Sequence, residues 1–346
     1  MNILLIQLKR IGDLILTTPA IAAVRKKFPR ANISLIISAG CRELLPAITG
    51  LDRIFIARGK VTDTASWFSV AARRFDYCLD FTRNDRSAFL TLLSGAKKRI
   101  TADHPRQRAK IRALSYNELV DCPIRLVHTV DYHLALLAPL GIRAASAVVR
   151  LNLPVAAVER ARRILDDAEV RSEFVLLHPG SARAEKFWEP ERWAALISWA
   201  TEHNLSPVLT GGNSPLEQTH IARIKSHARH PFVDLSGQVD LLTLAALIQR
   251  ARLLTTVDSA PMHLAVATQT PQVVLFGPTN PLHWHPRFTP AIILQAGHPA
   301  PVTQFSPKQK PVPMNLISTE QVIDAMKALL AAGPGLPNER THSTES

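Results

Sequence analysis

The sequence predicts an α/β protein made of two doubly wound, mostly parallel sheets in tandem. Three observations lead there. Short apolar runs alternate with segments of helical periodicity, which is how strands buried on both faces and their covering helices read. The alternation runs twice, once in 1–150 and again in 151–332, and each span is the size of an ordinary domain. Turns that end several of the strands carry Gly, Asp, Ser or cations, at the place where such sheets bind ligands.

In the first series, Asn2 to Leu8 reads as a buried strand, and Leu14, Ile15, Ala22, Val24 and Phe28 recur near helical spacing. Ile33 to Ile37 and Arg53 to Ala57 are strand-like, with a helix expected around Thr64 to Arg73. Asp76 to Asp80 and Lys97 to Thr101 offer further strands, and Val127 to Leu140 a helix. The second series follows a helical segment around Val155 to Asp167. Phe174 to Leu177, Pro207 to Thr210, Phe232-Val233, Leu253 to Val257 and Gln272 to Phe276 read as strands. Pro190 to Glu202, a segment ending near His227, and Leu241 to Arg250 read as the helices between them. Ser318 and Gln321 form a capping box that opens a closing helix, 318–331. The tail, 333–346, is rich in Gly, Pro, Ser and charge and is expected to be disordered.

Composition limits the function classes. A hydrophobic fraction of 47% and a charged fraction of 20% over 346 residues are those of a soluble globular protein. The longest stretch without Asp, Glu, Lys or Arg, Ser259 to Pro286, is interrupted by proline and polar residues and does not read as a membrane-crossing helix. The chain opens without the pattern of a signal peptide, since Lys9 and Arg10 follow the apolar run Ile3-Leu4-Leu5-Ile6. Cys41, Cys78 and Cys122 are odd in number and in no metal-ligand pattern, which suits a reducing cytoplasm. A formal charge of +13 calls for an anionic partner. Lys97, Lys98, Arg99, Arg106, Arg108, Lys110 and Arg112 concentrate part of it, with Asp103 the one acid among them. That stretch is either a solvated loop or a surface for phosphates or lipid. It carries no aromatic residue for base stacking, so nucleic acid is not the expected partner.

Four segments carry the chemistry. Gly12-Asp13 lies where the first strand turns into the first helix. Gly12 admits another molecule close to the backbone, and the helix dipole keeps Asp13 ionised, fit either to remove a proton or to serve as a plain cap. His178-Pro179-Gly180-Ser181, with Arg183 and Lys186 close behind, ends another strand and offers amides, a hydroxyl and two cations to a diphosphate. Neither a Walker loop nor a Gly-x-Gly-x-x-Gly fingerprint is present. Thr210-Gly211-Gly212-Asn213 borders a ribose or base, or is only a tight turn. Val257-Asp258-Ser259-Ala260-Pro261-Met262-His263 joins a strand to a helix that starts with proline, leaving the Ser259 and Ala260 amides at its positive end. Asp258, Ser259 and His263 sit too close in sequence to act as a hydrolase triad. No Asp-x-Asp occurs, so Lys186, Arg183 and helix N-termini are expected to neutralise phosphate in place of a metal ion.

Taken together, IGDLILTTPAI, LLHPGSARAEKFWEPERW, VLTGGNSPLEQ, DLSG and TTVDSAPMHLAVATQTPQVVLFGPT resemble glycosyltransferase family 9, the ADP-heptose:lipopolysaccharide heptosyltransferases. The LKRIGDLILTTPAI opening and the DSAPMHLA segment are most similar to its branch-adding members, heptosyltransferases of type III. The resemblance implies a GT-B fold, two Rossmann-like domains facing across a cleft, with an acceptor domain at 1–150 and a nucleotide-sugar domain at 151–332. It implies inversion at the anomeric carbon with no cofactor and no obligatory metal. It assigns Asp13 as catalytic base, Ser181 and Lys186 to the donor diphosphate, and Asp258, Ser259, Ala260 and His263 to a second donor-binding segment. Arg183, Thr210, Gly211 and Asn213 join the expected donor site, and Gly12, Lys97, Lys98 and Arg106 the expected acceptor site. The chain departs from the family pattern at Asn213, where relatives often carry an acidic residue for the ribose, and at Ala260, where Gly is usual. The expected partners are ADP-heptose, the lipopolysaccharide core and, through 97–112, the inner face of the membrane. The alternatives are a transferase or epimerase of the same fold acting on another nucleotide sugar, and a non-catalytic protein that binds core saccharide or nucleotide.

Overall fold

A computed structural model describes residues 1–58, 67, 70–102 and 110–332. Most of the helix expected around Thr64 to Arg73, the cations Arg106 and Arg108, and the tail 333–346 lie outside the described residues. The chain divides into two units, Met1–Asn152 and one beginning at Leu153.

In the first unit, β1 (Asn2–Gln7), β2 (Asn32–Ser38), β3 (Arg53–Ala57), β4 (Tyr77–Asp80), β5 (Lys98–Ala102) and β6 (Glu118–Val120) form one sheet in the order β3-β2-β1-β4-β5-β6. Every pairing is parallel. The sequence explains which strand is central: Ile3, Leu4, Leu5 and Ile6 are all fully buried, so β1 offers apolar side chains to both faces. Each such side chain contributes about 1.5–3 kcal/mol, and no exposed edge could hold that run. Helices among the described residues include α1 (Ile11–Ile15), α2 (Thr18–Lys27), α3 (Asp85–Leu93), α4 (Lys110–Ala113) and α5 (Thr129–Ala135).

The second unit repeats the plan. β7 (Phe174–His178), β8 (Ser206–Leu209), β9 (Val233–Asp234), β10 (Leu253–Val257), β11 (Gln272–Phe276) and β12 (Ala291–Gln295) are parallel, in the order β12-β11-β10-β7-β8-β9. Its helices are α6 (Val155–Asp167), α7 (Pro190–Glu202), α8 (Pro215–His227), α9 (Leu241–Arg250), α10 (Ala260–Thr268) and α11 (Thr319–Ala331). Trp188 and Trp193 are fully buried in its core at a T-shaped 5.4 Å, and Trp188 Nε1 donates to the Ile317 carbonyl at 2.9 Å, just ahead of α11.

Numbered from its own first strand, each sheet runs 3-2-1-4-5-6. The strand order reverses between the first and fourth strands, and that switch point is where ligands of doubly wound sheets bind, beyond the carboxyl ends of the strands. The residues to watch are therefore those that follow β1 and β4 in one unit and β7 and β10 in the other.

Some elements differ from the sequence expectation. β6, β12, α3 and α4 were not expected. β6 is three half-buried residues at a sheet edge, and α3 leaves Phe89 and Leu92 exposed, which blurs its stripe. The helix expected over Val127 to Leu140 is shorter: α5 stops at Ala135 and a 3₁₀ turn, Ala138–Leu140, follows, because Pro139 cannot sit inside a continuing helix.

Candidate active site

In the first unit the turn after β1 carries Asp13 in the first turn of α1. Buried neighbours fix that turn. Gln7 Nε2 donates to Thr17 Oγ1 at 3.0 Å, and Thr17 Oγ1 in turn donates to the Asp13 carbonyl at 2.7 Å. Ser38 Oγ donates to the Lys9 carbonyl at 2.9 Å. Beneath lies His133, fully buried, whose Nδ1 donates to the Leu16 carbonyl at 3.1 Å. Burial pushes its imidazole down to about 3. It is a neutral scaffold residue and does not exchange protons near neutral pH. Lys9 Nζ stands 3.7 Å from Asp13 Oδ1, and the Asp13 side chain keeps 17% of its exposure. The carboxylate is thus anchored through its backbone and open to solvent, as a base that must meet a substrate hydroxyl requires.

Lys97 and Lys98 do not join it. Lys98 pairs with Tyr77, and Tyr77 with Ile3, so Lys98 opens β5 level with the start of β1. Gly12 and Asp13 follow the opposite end of β1. Lys97 pairs with Asp76 at 2.8 Å and Lys98 with Glu118 at 3.7 Å. Of the four residues expected at the acceptor, only Gly12 shares the carboxyl edge with Asp13 among the described residues. Arg106 lies outside them.

In the second unit the switch point is closed by an ion pair. Lys186, 8% exposed, donates from Nζ to Asp258 Oδ2 at 2.6 Å and to the Asp258 carbonyl at 2.8 Å. Thr279 Oγ1 donates to the same carboxylate oxygen at 2.7 Å. Residues 72 positions apart, one after β7 and one after β10, therefore form a single group. An ammonium has three donors, so one N–H of Lys186 remains beyond these two bonds. Beside it Ser259 caps α10 with extended backbone, and its side chain makes no capping bond. The Ser259 hydroxyl is buried without a hydrogen-bond partner among the described residues. A buried, unpaired hydroxyl costs free energy unless a ligand completes it. Ala260 begins α10, and His263 is buried within it.

The other expected donor residues follow β7 and β8 at the same carboxyl edge of the sheet. Ser181 is buried after β7, and its hydroxyl accepts from the Arg183 amide at 3.3 Å. Arg183 turns to Glu185, with Nε donating to Oε1 at 2.6 Å, so its guanidinium already has a partner. Thr210 Oγ1 lies 3.0 Å from His178 Nδ1, and burial pushes the His178 imidazole down to about 4. Asn213 is exposed.

One carboxylate at this edge was not anticipated from the sequence. Glu217, in the first turn of α8, enters the gap between the turns after β7 and β8. A Cβ on Gly180 would come within 2.3 Å of its Oε1, and one on Gly212 within 2.3 Å of its Oε2. Ser214 Oγ donates to Oε2 at 3.0 Å and accepts from the Glu217 amide at 3.3 Å. An acidic side chain thus stands at this edge four positions after the exposed Asn213. The Ser214-x-x-Glu217 spacing, a helix-start signature, was the signal for it. Among the described residues no three His, Cys, Asp or Glu side chains gather as a metal site.

Solved structures with the same plan are known. The glycosyl transferase family 9 protein of Veillonella parvula DSM 2008 superposes with a TM-score of 0.82 at 22% identity, over 96% of this chain and 97% of that one. The E. coli ADP-heptose lps heptosyltransferase II superposes with a TM-score of 0.76 at 20% identity, over 96% and 99%. The fold is that of the GT-B glycosyltransferases. The family model for glycosyltransferase family 9 (heptosyltransferase) matches residues 64–309, and the chain belongs to that family. It is also 30% identical over 284 residues to lipopolysaccharide heptosyltransferase 3 of Escherichia coli, across 80% of this chain and 83% of the relative.

Proposed function

We propose that this glycosyltransferase moves heptose from ADP-heptose to a hydroxyl of the lipopolysaccharide inner core, with inversion, and that it adds the branch heptose. The observation that carries the donor half is the Lys186–Asp258–Thr279 group beside the buried, unpartnered Ser259 hydroxyl. A leaving diphosphate gathers negative charge, and preorganised donors that meet it stabilise the transition state more than the ground state. The remaining N–H of Lys186, the Ser181 and Ser259 hydroxyls and the amides that start α10 are those donors. Glu217 is suited to accept from the two hydroxyls of the ribose, as carboxylates at this edge do in nucleotide-binding sheets. Thr210, Gly211 and Asn213 border the nucleoside, and Arg183 serves once it leaves Glu185. Ala260 and His263 line the same helix start.

The acceptor half rests on Asp13. Its carboxylate removes the proton from the acceptor hydroxyl as that oxygen attacks the anomeric carbon, while the bond to ADP breaks. Gly12 leaves room for the sugar. We assign the first unit to the acceptor and the second to the donor. The reaction belongs in the cytoplasm, where the net charge of +13 favours peripheral contact with acidic lipid. No helix among the described residues is long and apolar enough to cross a membrane. Charge reversal at Lys97 and Lys98 should weaken sedimentation with anionic vesicles at low salt; unchanged sedimentation would remove those residues from the contact.

The direct test of the donor is a panel of ADP-heptose and other nucleotide sugars with a truncated core acceptor, followed by nucleotide release and acceptor mass. Transfer from ADP-heptose alone supports the reading. Transfer from a different nucleotide sugar would replace the donor and keep the reaction. ADP binding without transfer from any donor would favour a binding protein.

A further inference from the structure

The switch point of the first sheet lies between β1 and β4, and the proposed base follows β1. The residue that matches it across the switch point is Arg83, three positions after β4 ends at Asp80. Leu8 N donates to Thr82 Oγ1 at 2.7 Å, so the turns that carry Lys9 and Arg83 are neighbours.

Arg83 is held in an unusual way. Its φ is +62°, the left-handed region that a side chain of this size seldom enters. The buried Asp80 carboxylate holds it there, accepting from the Thr82 amide at 2.8 Å and the Arg83 amide at 3.1 Å. Its other oxygen accepts from Ser87 Oγ at 2.6 Å and Tyr116 Oη at 2.5 Å. Arg112 fixes the turn from the far side, donating to the Arg83 carbonyl at 3.0 Å. The guanidinium lies over the ring of Tyr132, 4.6 Å from its centroid, and the Tyr132 hydroxyl donates to the Phe81 carbonyl at 3.1 Å, so the platform is fixed too. Arg83 Nε is buried without a hydrogen-bond partner among the described residues. No carboxylate of those residues pairs with the guanidinium, whereas Arg112, which braces this turn from α4, has Asp85 at 2.6 Å.

A backbone outlier held by a buried network after β4, with its guanidinium stacked on a fixed ring and paired with no described carboxylate, is suited to read an oxyanion at the carboxyl edge of the sheet. We propose that Arg83 binds an anionic group of the acceptor saccharide, a phosphate or a carboxylate, and so positions its hydroxyl at Asp13. Lys9, ion-paired to Asp13 on the adjoining turn, adds a second cation to the same edge. This rests on the reading of the first unit as the acceptor unit. It makes Arg83 a specificity-determining residue that leaves donor binding alone.

The experiment uses the full chain and three acceptors: the native core saccharide, the same saccharide freed of phosphate, and one with its carboxyls reduced. Arg83→Asn is the informative variant, because asparagine tolerates the left-handed backbone and removes only the cation; Arg83→Lys keeps charge without the fork. With saturating ADP-heptose, wild type should lose about tenfold or more in kcat/KM when the recognised anion is removed, the scale of one charge-assisted hydrogen bond. Arg83→Asn should show that loss already on the native acceptor and be indifferent to the removal, with KM for ADP-heptose unchanged and Arg83→Lys in between. The modified acceptor that reproduces the loss identifies phosphate or carboxylate. An equal fall on all three acceptors would mean that Arg83 only supports the turn, and no fall would mean that it reads nothing; either overturns the proposal. Equilibrium binding of the same saccharides without donor makes the comparison independent of transfer. A binding difference without transfer would overturn the transferase reading and leave the anion site standing.

Discussion

At the scale of single residues, the strongest statement concerns Lys186 and Asp258, whose side chains keep only 10% and 9% of their exposure. Removing one partner of a buried pair strands the other's charge, which costs about 3–5 kcal/mol, while replacing both with apolar groups is often neutral. Lys186→Met should therefore lower the melting temperature sharply and reduce kcat by about 10²–10³-fold, the scale of one lost transition-state donor. The double variant Lys186→Met, Asp258→Leu should recover stability in thermal denaturation and recover no turnover. Recovery of both would show the pair to be structural. The two residue types were legible in sequence as a cation after one strand and an acid after another. Their union was not, because pairing across 72 positions depends on β7 and β10 lying side by side. Thr279 closes one of the segments that carry the family resemblance, but its place as the third member was missed for the same reason.

At the scale of elements, the turns after β7 and β8 admit Glu217 because both carry glycine. The sequence left the turn after β8 open between a ribose border and a tight turn, and neither reading included the side chain that enters it. Gly212→Ala places a methyl group against the Glu217 carboxylate, whose side chain can swing aside, so the fold should survive. The cost falls on the nucleoside: KM for ADP-heptose should rise about tenfold, as expected for one lost hydrogen bond to a charged group. Glu217→Gln should reproduce that rise, and kcat should change little in either variant. Steady-state kinetics at varied donor concentration decide it. A change confined to kcat would place Glu217 outside the donor site. Long apolar runs such as those of β1, β7, β10 and β11 were legible because burial on both faces leaves no other composition. β6 and α3 were not, because an edge strand of three residues and a helix with exposed Phe89 and Leu92 carry no clean period.

At the scale of the molecule, two sheets of the same strand order carry the proposed site residues at their carboxyl edges, and buried histidines brace both. His133 is pushed down to about 3, and His178 and His220 to about 4, from an ordinary 6.5. Burial is the main cause in each. An unfolded chain takes up these protons near pH 6.5, whereas the folded one refuses them until far lower pH. Their stabilising contribution is therefore complete above pH 6.5 and is lost as pH falls toward 4, at about 1.4 kcal/mol per pH unit for each histidine. Denaturant melts of wild type and His133→Gln between pH 7.5 and 4.5 should show a shallower acid decline in the variant. Parallel profiles would contradict the neutral, buried state of His133. The division into two α/β halves was legible from the repeated alternation of strand and helix. The positions of Lys97 and Lys98 were not, since only the parallel register puts them at the edge away from Asp13.

In the proposed reaction Asp13 serves as base for heptose transfer while the second unit holds the donor. The most direct measurement is acceptor mass in a single turnover with ADP-heptose, wild type beside Asp13→Asn, with ADP affinity measured on both. Wild type should add one heptose, the variant should transfer at least about 10²-fold less, as for loss of a general base, and both should bind ADP with equal affinity. Equal transfer by both proteins would contradict that role of Asp13.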